Sequence, residues 1–198
     1  STRTLTLFPY TTLFRSWDKD MAEELVKRFG IDKKKKVCNL SKGMLSMLTV
    51  IIGLASKAEI TILDEPAAGL DVIVREEFYK LIIDEQQESG RTFIISTHII
   101  EEAANVFEEV IILKDKCVYL KENTVELLDK CRYVSGLEED VKNAVDGCKI
   151  INEEHIGRSY AVTVMQDGDG KIKAVQHVTV QPVSLQNLFI AICGQSNM

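Results

Sequence analysis

No apolar run in this 198-residue sequence approaches the roughly 18 residues a membrane-spanning helix needs, so any membrane role requires another chain. Cysteine is sparse and unpaired in pattern. Five are present without a C-x-x-C pair, which fits reduced thiols in a cytosolic protein better than a disulfide framework. Basic residues are the minority, with 24 Lys and Arg against 30 Asp and Glu and a net charge of −6. That balance argues against a nucleic-acid binder held by bulk charge. Cys148, His155, His177 and Cys193 are too widely spaced to read as a zinc site and receive no role. What is present is ordinary for a globular chain: 45% hydrophobic and 27% charged residues, in a length suited to one domain or one and a half.

Residues 1–16 stand apart. Thr6 to Ser16 looks like the translation of a DNA-sequencing adaptor, with neither a helical period nor a strand alternation. A signal peptide is the competing reading, but Pro9 and Tyr10 break the segment and no small-residue cleavage site follows. The segment is set aside as non-native, and the natural sequence is expected to run from near Trp17, with further chain upstream.

From there Asp20 to Glu23 reads as a capping box, and Met21, Leu25 and Phe29 line a helix that Gly30 closes. Lys33 to Lys36 form a solvated basic run. Leu40-Ser41-Lys42-Gly43-Met44 precedes an apolar helix through Leu48, Ile51, Ile52 and Leu54. Free backbone N–H groups, a positive helix end and a small hydroxyl make a phosphate-docking surface. The pentapeptide alone reads more readily as a plain Ser N-cap on a buried helix.

Ile60, Ile62 and Leu63 form an apolar run of the kind buried on both faces of a parallel sheet. It ends in Asp64 and Glu65, then Pro66, which cannot donate to a ladder. Two carboxylates at the carboxyl end of a central strand lie where α/β folds place ligands. An Asp there can hold Mg²⁺, and a neighbouring Glu can polarise a water. Taken alone, the tripeptide is also a strand entering an acidic turn. A helix over 72–88 with Val74, Phe78, Leu81 and Ile82 on one face, a strand Thr92–Ser96 ending in Thr97-His98, a helix through Ile100, Ala103 and Phe107, and strands at 110–113 and 117–120 follow. Strands alternating with helices predict βαβ units and a parallel sheet. Beyond Asn123 the pattern shifts to a short helix over 124–130, a strand over 132–135, a helix over 138–145, antiparallel strands at 149–152, 160–165 and 175–180, and a closing helix over 185–193 capped by Ser184. Asp167 to Gly170 resembles a Ca²⁺ loop, but Lys171 and the lack of a following Glu make it a hairpin turn.

Leu40–Met44, Ile60–Glu65, Gly69-Leu70-Asp71 and Ser96–His98 together resemble the signature motif, Walker B strand, D-loop and switch histidine of the ATP-binding-cassette (ABC) ATPases, over about Trp17 to Lys121. The resemblance implies an α/β, P-loop NTPase-type parallel sheet with flanking helices over residues 17–122, cut short at its N-terminus, and a small α+β appendage over 123–198. It implies ATP and Mg²⁺ as cofactors, with Asp64 on the metal through water, Glu65 as general base and His98 at the γ-phosphate. Leu40, Ser41, Lys42, Gly43 and Met44 would reach ATP held by a second cassette, and Gly69, Leu70 and Asp71 would link the two sites.

Lys42 and Met44 replace the Gly and Gln common in the signature, and Asp115-Lys116 lacks the Gly often found at that turn. No G-x-x-x-x-G-K-S/T loop occurs in the chain, and the glutamine loop is absent. The polypeptide alone is therefore expected neither to bind ATP tightly nor to hydrolyse it. The function implied is the ATPase subunit of an exporter-type transporter, cytoplasmic and peripheral at the inner face of the membrane. Its partners would be a second cassette and separate permease subunits, with no nucleic acid. A soluble non-transport ABC ATPase and a non-catalytic regulatory module are the alternatives.

Overall fold

A computed structural model describes residues 16–157, 159–166 and 170–194, and divides the chain into two compact units, Ser1–Ile99 and Ile100–Met198. The adaptor-like segment, apart from Ser16, and residues 167–169 of the expected hairpin turn lie outside the described residues.

In the first unit, α1 (Lys19–Arg28) starts at Asp18, whose carboxylate accepts from Met21 N at 2.9 Å. The cap is thus Asp18 and not Asp20, because the helix begins two residues earlier than the capping-box reading predicts. Phe29 is the C-cap residue and Gly30 follows it at φ 63°. After an exposed basic run and a 3₁₀ turn at Val37–Asn39, α2 (Lys42–Ala55) buries Met47, Val50, Ile51 and Leu54. Strand β1 (Ile60–Asp64) is joined through α3 (Val72–Ser89) to β2 (Thr92–Ser96). The strands pair in parallel, with Asp64 opposite Ser96, so this is the expected βαβ unit. Gly90 ends α3 at φ 69°, the left-handed cap glycine provides without strain.

Strand β1 is not covered on both sides. Thr61 and Leu63 pack inward, while Ile60 and Ile62 are 61% and 72% exposed. The period of two decides this: among the described residues, helices cover one face of the pair and nothing covers the other.

The second unit begins with α4 (Ile100–Ala103), a single turn where the sequence suggests a helix reaching Phe107. Strands β3 (Glu109–Lys114) and β4 (Cys117–Asn123) form an antiparallel hairpin rather than extending a parallel sheet. Its two-residue turn puts Asp115 and Lys116 at φ 51° and 64°, the twist a tight hairpin needs, here without glycine. Helices α5 (Thr124–Lys130), α6 (Glu138–Ala144) and α7 (Leu185–Cys193) accompany a four-stranded antiparallel sheet in the order β6-β7-β5-β8, with β5 (Cys131–Gly136), β6 (Lys149–Ile156), β7 (Ser159–Met165) and β8 (Thr179–Pro182). The expected strand over 175–180 is realised only from Thr179. The division of the chain also falls after Ile99 and not after residue 122. The reason is packing: Val110 and Ile112 of β3 share one core with Leu127, Met165, Val183 and Leu188.

Candidate functional site

Two clusters of motif residues form in the first unit, and each is built by backbone geometry before any ligand is considered. The first lies at the carboxyl ends of β1 and β2. Register sets Ser96 beside Asp64, and the Ser96 hydroxyl donates to Asp64 Oδ1. The backbone N–H of Glu65 donates to the Ser96 carbonyl at 3.0 Å and approaches its hydroxyl at 3.2 Å. Glu65 itself sits at φ 46°, the left-handed region that a side chain with a Cβ rarely adopts. This turn swings its carboxylate across to β2, where Oε2 lies 2.7 Å from His98 Nδ1. Thr97 Oγ1 accepts from Ile99 N at 3.0 Å, a local turn that presents the histidine. His98 is largely exposed, with a side chain 73% accessible, and Glu65 is 38% accessible. Both are therefore within reach of a ligand arriving from solvent.

The second cluster joins the start of α2 to the loop before α3. Ser41 caps α2, its Oγ accepting from Met44 N at 3.2 Å, and remains exposed. Asp71 caps α3 in the same way, accepting from Val74 N at 3.0 Å. Both side chains serve first as caps, each worth about 1 kcal/mol. Gly43 and Gly69 let the two segments touch: a Cβ on Gly43 would stand 2.7 Å from the Gly69 carbonyl oxygen. Gly69 takes φ 81° against the stem of Lys42, and Ser46 Oγ ties the loop down by donating to the Ala68 carbonyl at 3.0 Å. Between the segments lies a cavity of about 430 Å³, lined by Ser41–Met44, Gly69–Asp71, Phe29, Ile31, Met47 and Val74.

Asp64, Glu65 and His98 are thus brought together, as are Leu70, Asp71, Ser41, Lys42, Gly43 and Met44; Leu40 stands just before the second cluster, half-buried. Ser96, which bonds both strand-end acids, stands inside the Ser96–His98 motif but receives no role of its own from the sequence. Only the register of β1 with β2 sets it beside Asp64, and that pairing is not written in the sequence. Among the described residues there is no group of three His, Cys, Asp or Glu side chains able to hold a metal ion. Nor is any described helix long and apolar enough to cross a membrane.

The chain resembles known proteins over the region that holds both clusters. Residues 26–104, which contain both clusters, match the family model described as "AAA domain, putative AbiEii toxin, Type IV TA system". The chain is 24% identical over 188 residues to the ABC transporter ATP-binding protein YtrB of Bacillus subtilis, covering 92% of this chain and 64% of that protein. It is 33% identical over 159 residues to an uncharacterised ABC transporter ATP-binding protein of Methanocaldococcus jannaschii, covering 80% of this chain and 55% of that one. The chain therefore spans a little over half to about two thirds of these curated relatives. A crystal structure described as "putative Cobalt transport ATP-binding protein (cbiO-2)" superposes with a TM-score of 0.50 over 79% of this chain and 56% of its own, at 19% identity. That likeness shows the P-loop NTPase-type fold.

Proposed function

We propose that this chain, whose motifs and relatives are those of ATP-binding-cassette ATPases, is part of the ATP-hydrolysing subunit of an exporter-type transporter, acting with a second cassette and with separate permease subunits at the inner face of a membrane. The observation that carries this reading is the Glu65–His98 pair at the carboxyl end of a parallel strand pair. A carboxylate held 2.7 Å from an imidazole ring nitrogen is a group fixed in position. It is free on its solvent side to accept a proton from a water molecule. His98, just past the end of the other strand, presents its second ring nitrogen to whatever that water attacks. Phosphoryl transfer needs little beyond such positioning and charge stabilisation.

ATP supplies the phosphoryl group when bound. Mg²⁺ carried by a nucleotide takes most of its ligands from phosphate and water. One exposed carboxylate, Asp64, suits such an ion through a water, and Ser96 holds that carboxylate in place. Ser41 and the N–H groups at the start of α2 face solvent and suit a nucleotide held by the second cassette, with Leu40 to Met44 as the contact surface and Gly69 to Asp71 linking the two protomers. The 198 residues contain no G-x-x-x-x-G-K-S/T loop, so the chain alone does not turn ATP over.

The test compares ATP hydrolysis by the purified chain with that of the same chain joined to a segment bearing that loop. The chain alone should be silent. The extended form should hydrolyse ATP, and Glu65→Gln should lower its turnover by about 10²-fold or more. Turnover by the chain alone that Glu65→Gln abolishes would overturn the inactivity, and an extended Glu65→Gln protein as active as its parent would overturn the assignment.

A further inference from the structure

The four-stranded sheet of the second unit carries one row unlike its neighbours. Register aligns Asn152 of β6, Thr163 of β7, Tyr133 of β5 and Gln181 of β8 directly across all four strands, and partners in such a row share a face. The adjoining row on that face is apolar: Cys131 and Met165 pack with Val183 into the core under Leu185, Leu188 and Ile192 of α7. Sheet positions beneath a helix ordinarily continue that apolar filling, because burying a polar group without a partner is costly. Here the polar row opens instead into a cavity of about 300 Å³. That is at the lower end of the range, about 300–1,000 Å³, typical of small-molecule sites.

Glu154 lies two residues along β6 from Asn152, on the same face, and is the one ionisable carboxylate in the lining, which contains no Lys, Arg or His. The Tyr133 hydroxyl donates to Glu154 Oε1 at 2.9 Å and so fixes the carboxylate, while among the described residues no cationic side chain pairs with it. Burial, then that hydrogen bond, pushes the Tyr133 phenol above its ordinary range, so it stays a donor. Val183 beside the polar row, with Ile190 and Ala191 of α7, supplies an apolar wall.

We propose that this cavity binds a small primary alkylammonium compound, its charged head on Glu154 beside the Tyr133 ring and its stem along Ile190 and Val183. An unopposed carboxylate attracts the cation and rejects anions. The ring face adds cation–π attraction, and the Thr163 hydroxyl and Gln181 amide offer oxygen acceptors to the remaining N–H groups. A neutral alcohol of the same length would find the wall but not the charge.

The experiment titrates the full ¹⁵N-labelled chain with n-butylammonium chloride, with sodium butyrate and n-butanol at matched ionic strength as comparisons, and follows backbone amide shifts. Saturable shifts confined to the residues around Tyr133, Asn152 to Glu154, Thr163, the 181–183 segment and α7 are expected for the ammonium. Butyrate should give none, and butanol should bind about tenfold more weakly or worse. Glu154 is exposed, so Glu154→Gln should leave the spectrum otherwise intact while lowering ammonium affinity by a similar factor. Absence of saturation, equal response to all three compounds, or unchanged affinity in Glu154→Gln would overturn the proposal.

Discussion

In the second unit the sheet is covered on both faces, by α7 and the β3–β4 hairpin over Cys131 and Met165 and by α6 over Val134, Val162 and Val164. In the first unit the parallel pair is covered on one face alone, and Ile60, Ile62 and Ile94 stand exposed on the other. The difference is in what each sheet uses for stability. The second relies on apolar side chains packed from both sides, where every buried methylene contributes. The first adds a charged knot to its single packed layer. Glu85, 3% exposed, pairs with Arg91 at 3.1 Å and receives both its oxygens' contacts from Lys57 Nζ at 3.0 and 2.9 Å. Arg91 in turn donates to the Leu54 carbonyl at 2.8 Å and lies over the Phe93 ring. The knot ties the C-terminal ends of α2 and α3 to the start of β2, the strand whose other end holds Ser96 beside Asp64.

If that contrast is right, the largest single effect falls on the knot. Glu85→Ala leaves Arg91 buried and charged without its carboxylate, and should destabilise the first unit by about 3–5 kcal/mol. Trp17, the sole tryptophan, reports this unit by fluorescence during urea unfolding. A loss under about 1 kcal/mol would mean that the cluster is solvated and that the first unit is held some other way.

Next come two apolar truncations that should differ sharply. Leu188→Ala in α7 empties a site with no exposure and should cost about 2–5 kcal/mol. Ile62→Ala removes a mostly exposed side chain and should change stability by about 0.5 kcal/mol or less. Amide signals of β5 to β8 report the first variant and Trp17 the second. Equal losses would show that the bare face of β1 is covered in solution and would end the comparison.

The N-caps sharpen it further. Ser41 and Ser184 make the same contact, accepting from the backbone N–H three residues on at 3.2 Å. Each Ser→Ala change should therefore cost about 1 kcal/mol of stability. Only Ser41→Ala should also lower ATP turnover in a form able to hydrolyse it. Parallel effects on turnover would mark Ser41 as a helix cap and nothing more.

Much of this was legible in the residues. Helix α5, strand β2 and helix α7 carry their own start and stop signals, and Asn123, Ser184 and Gly90 cap or close the helices as such residues do. The strand-end acids were legible because Pro66 forces β1 to stop. Pairing was harder to read. That β3 folds back on β4 depends on Asp115 and Lys116 adopting left-handed backbone, which neither residue advertises. That Ile60 and Ile62 face solvent follows from what else is present to cover them, not from their own apolar character. Ser96 and the Glu85–Arg91 pair were invisible for a related reason: each acts through a partner at least six residues away, and sequence period says nothing of such pairs.

The smallest expected effect concerns the covered sheet at high pH. Tyr160 is buried against Val134 and Val162, and its hydroxyl donates to Glu153 Oε2 at 2.6 Å. Burial first, then that bond and the charge of Glu153, push the phenol up to about 12. His155 stacks beside the ring and Lys142 Nζ lies 5.6 Å from its centroid. In the unfolded chain the phenol ionises near its ordinary value of about 10. Above that pH the unfolded state releases a proton that the native state keeps, so stability must fall as pH rises. The contribution is whole below about pH 10 and is lost progressively towards pH 12. Tyr133 adds to the slope with the same sign, so the wild-type curve alone does not isolate Tyr160. Comparison with Tyr160→Phe does: the variant should be less stable at neutral pH by about 1 kcal/mol and converge on wild type as pH climbs through this window. Two curves that stay parallel from pH 9 to pH 12 would mean that the phenol ionises alike in both states, and that this face of the second unit is less closed than its packing implies.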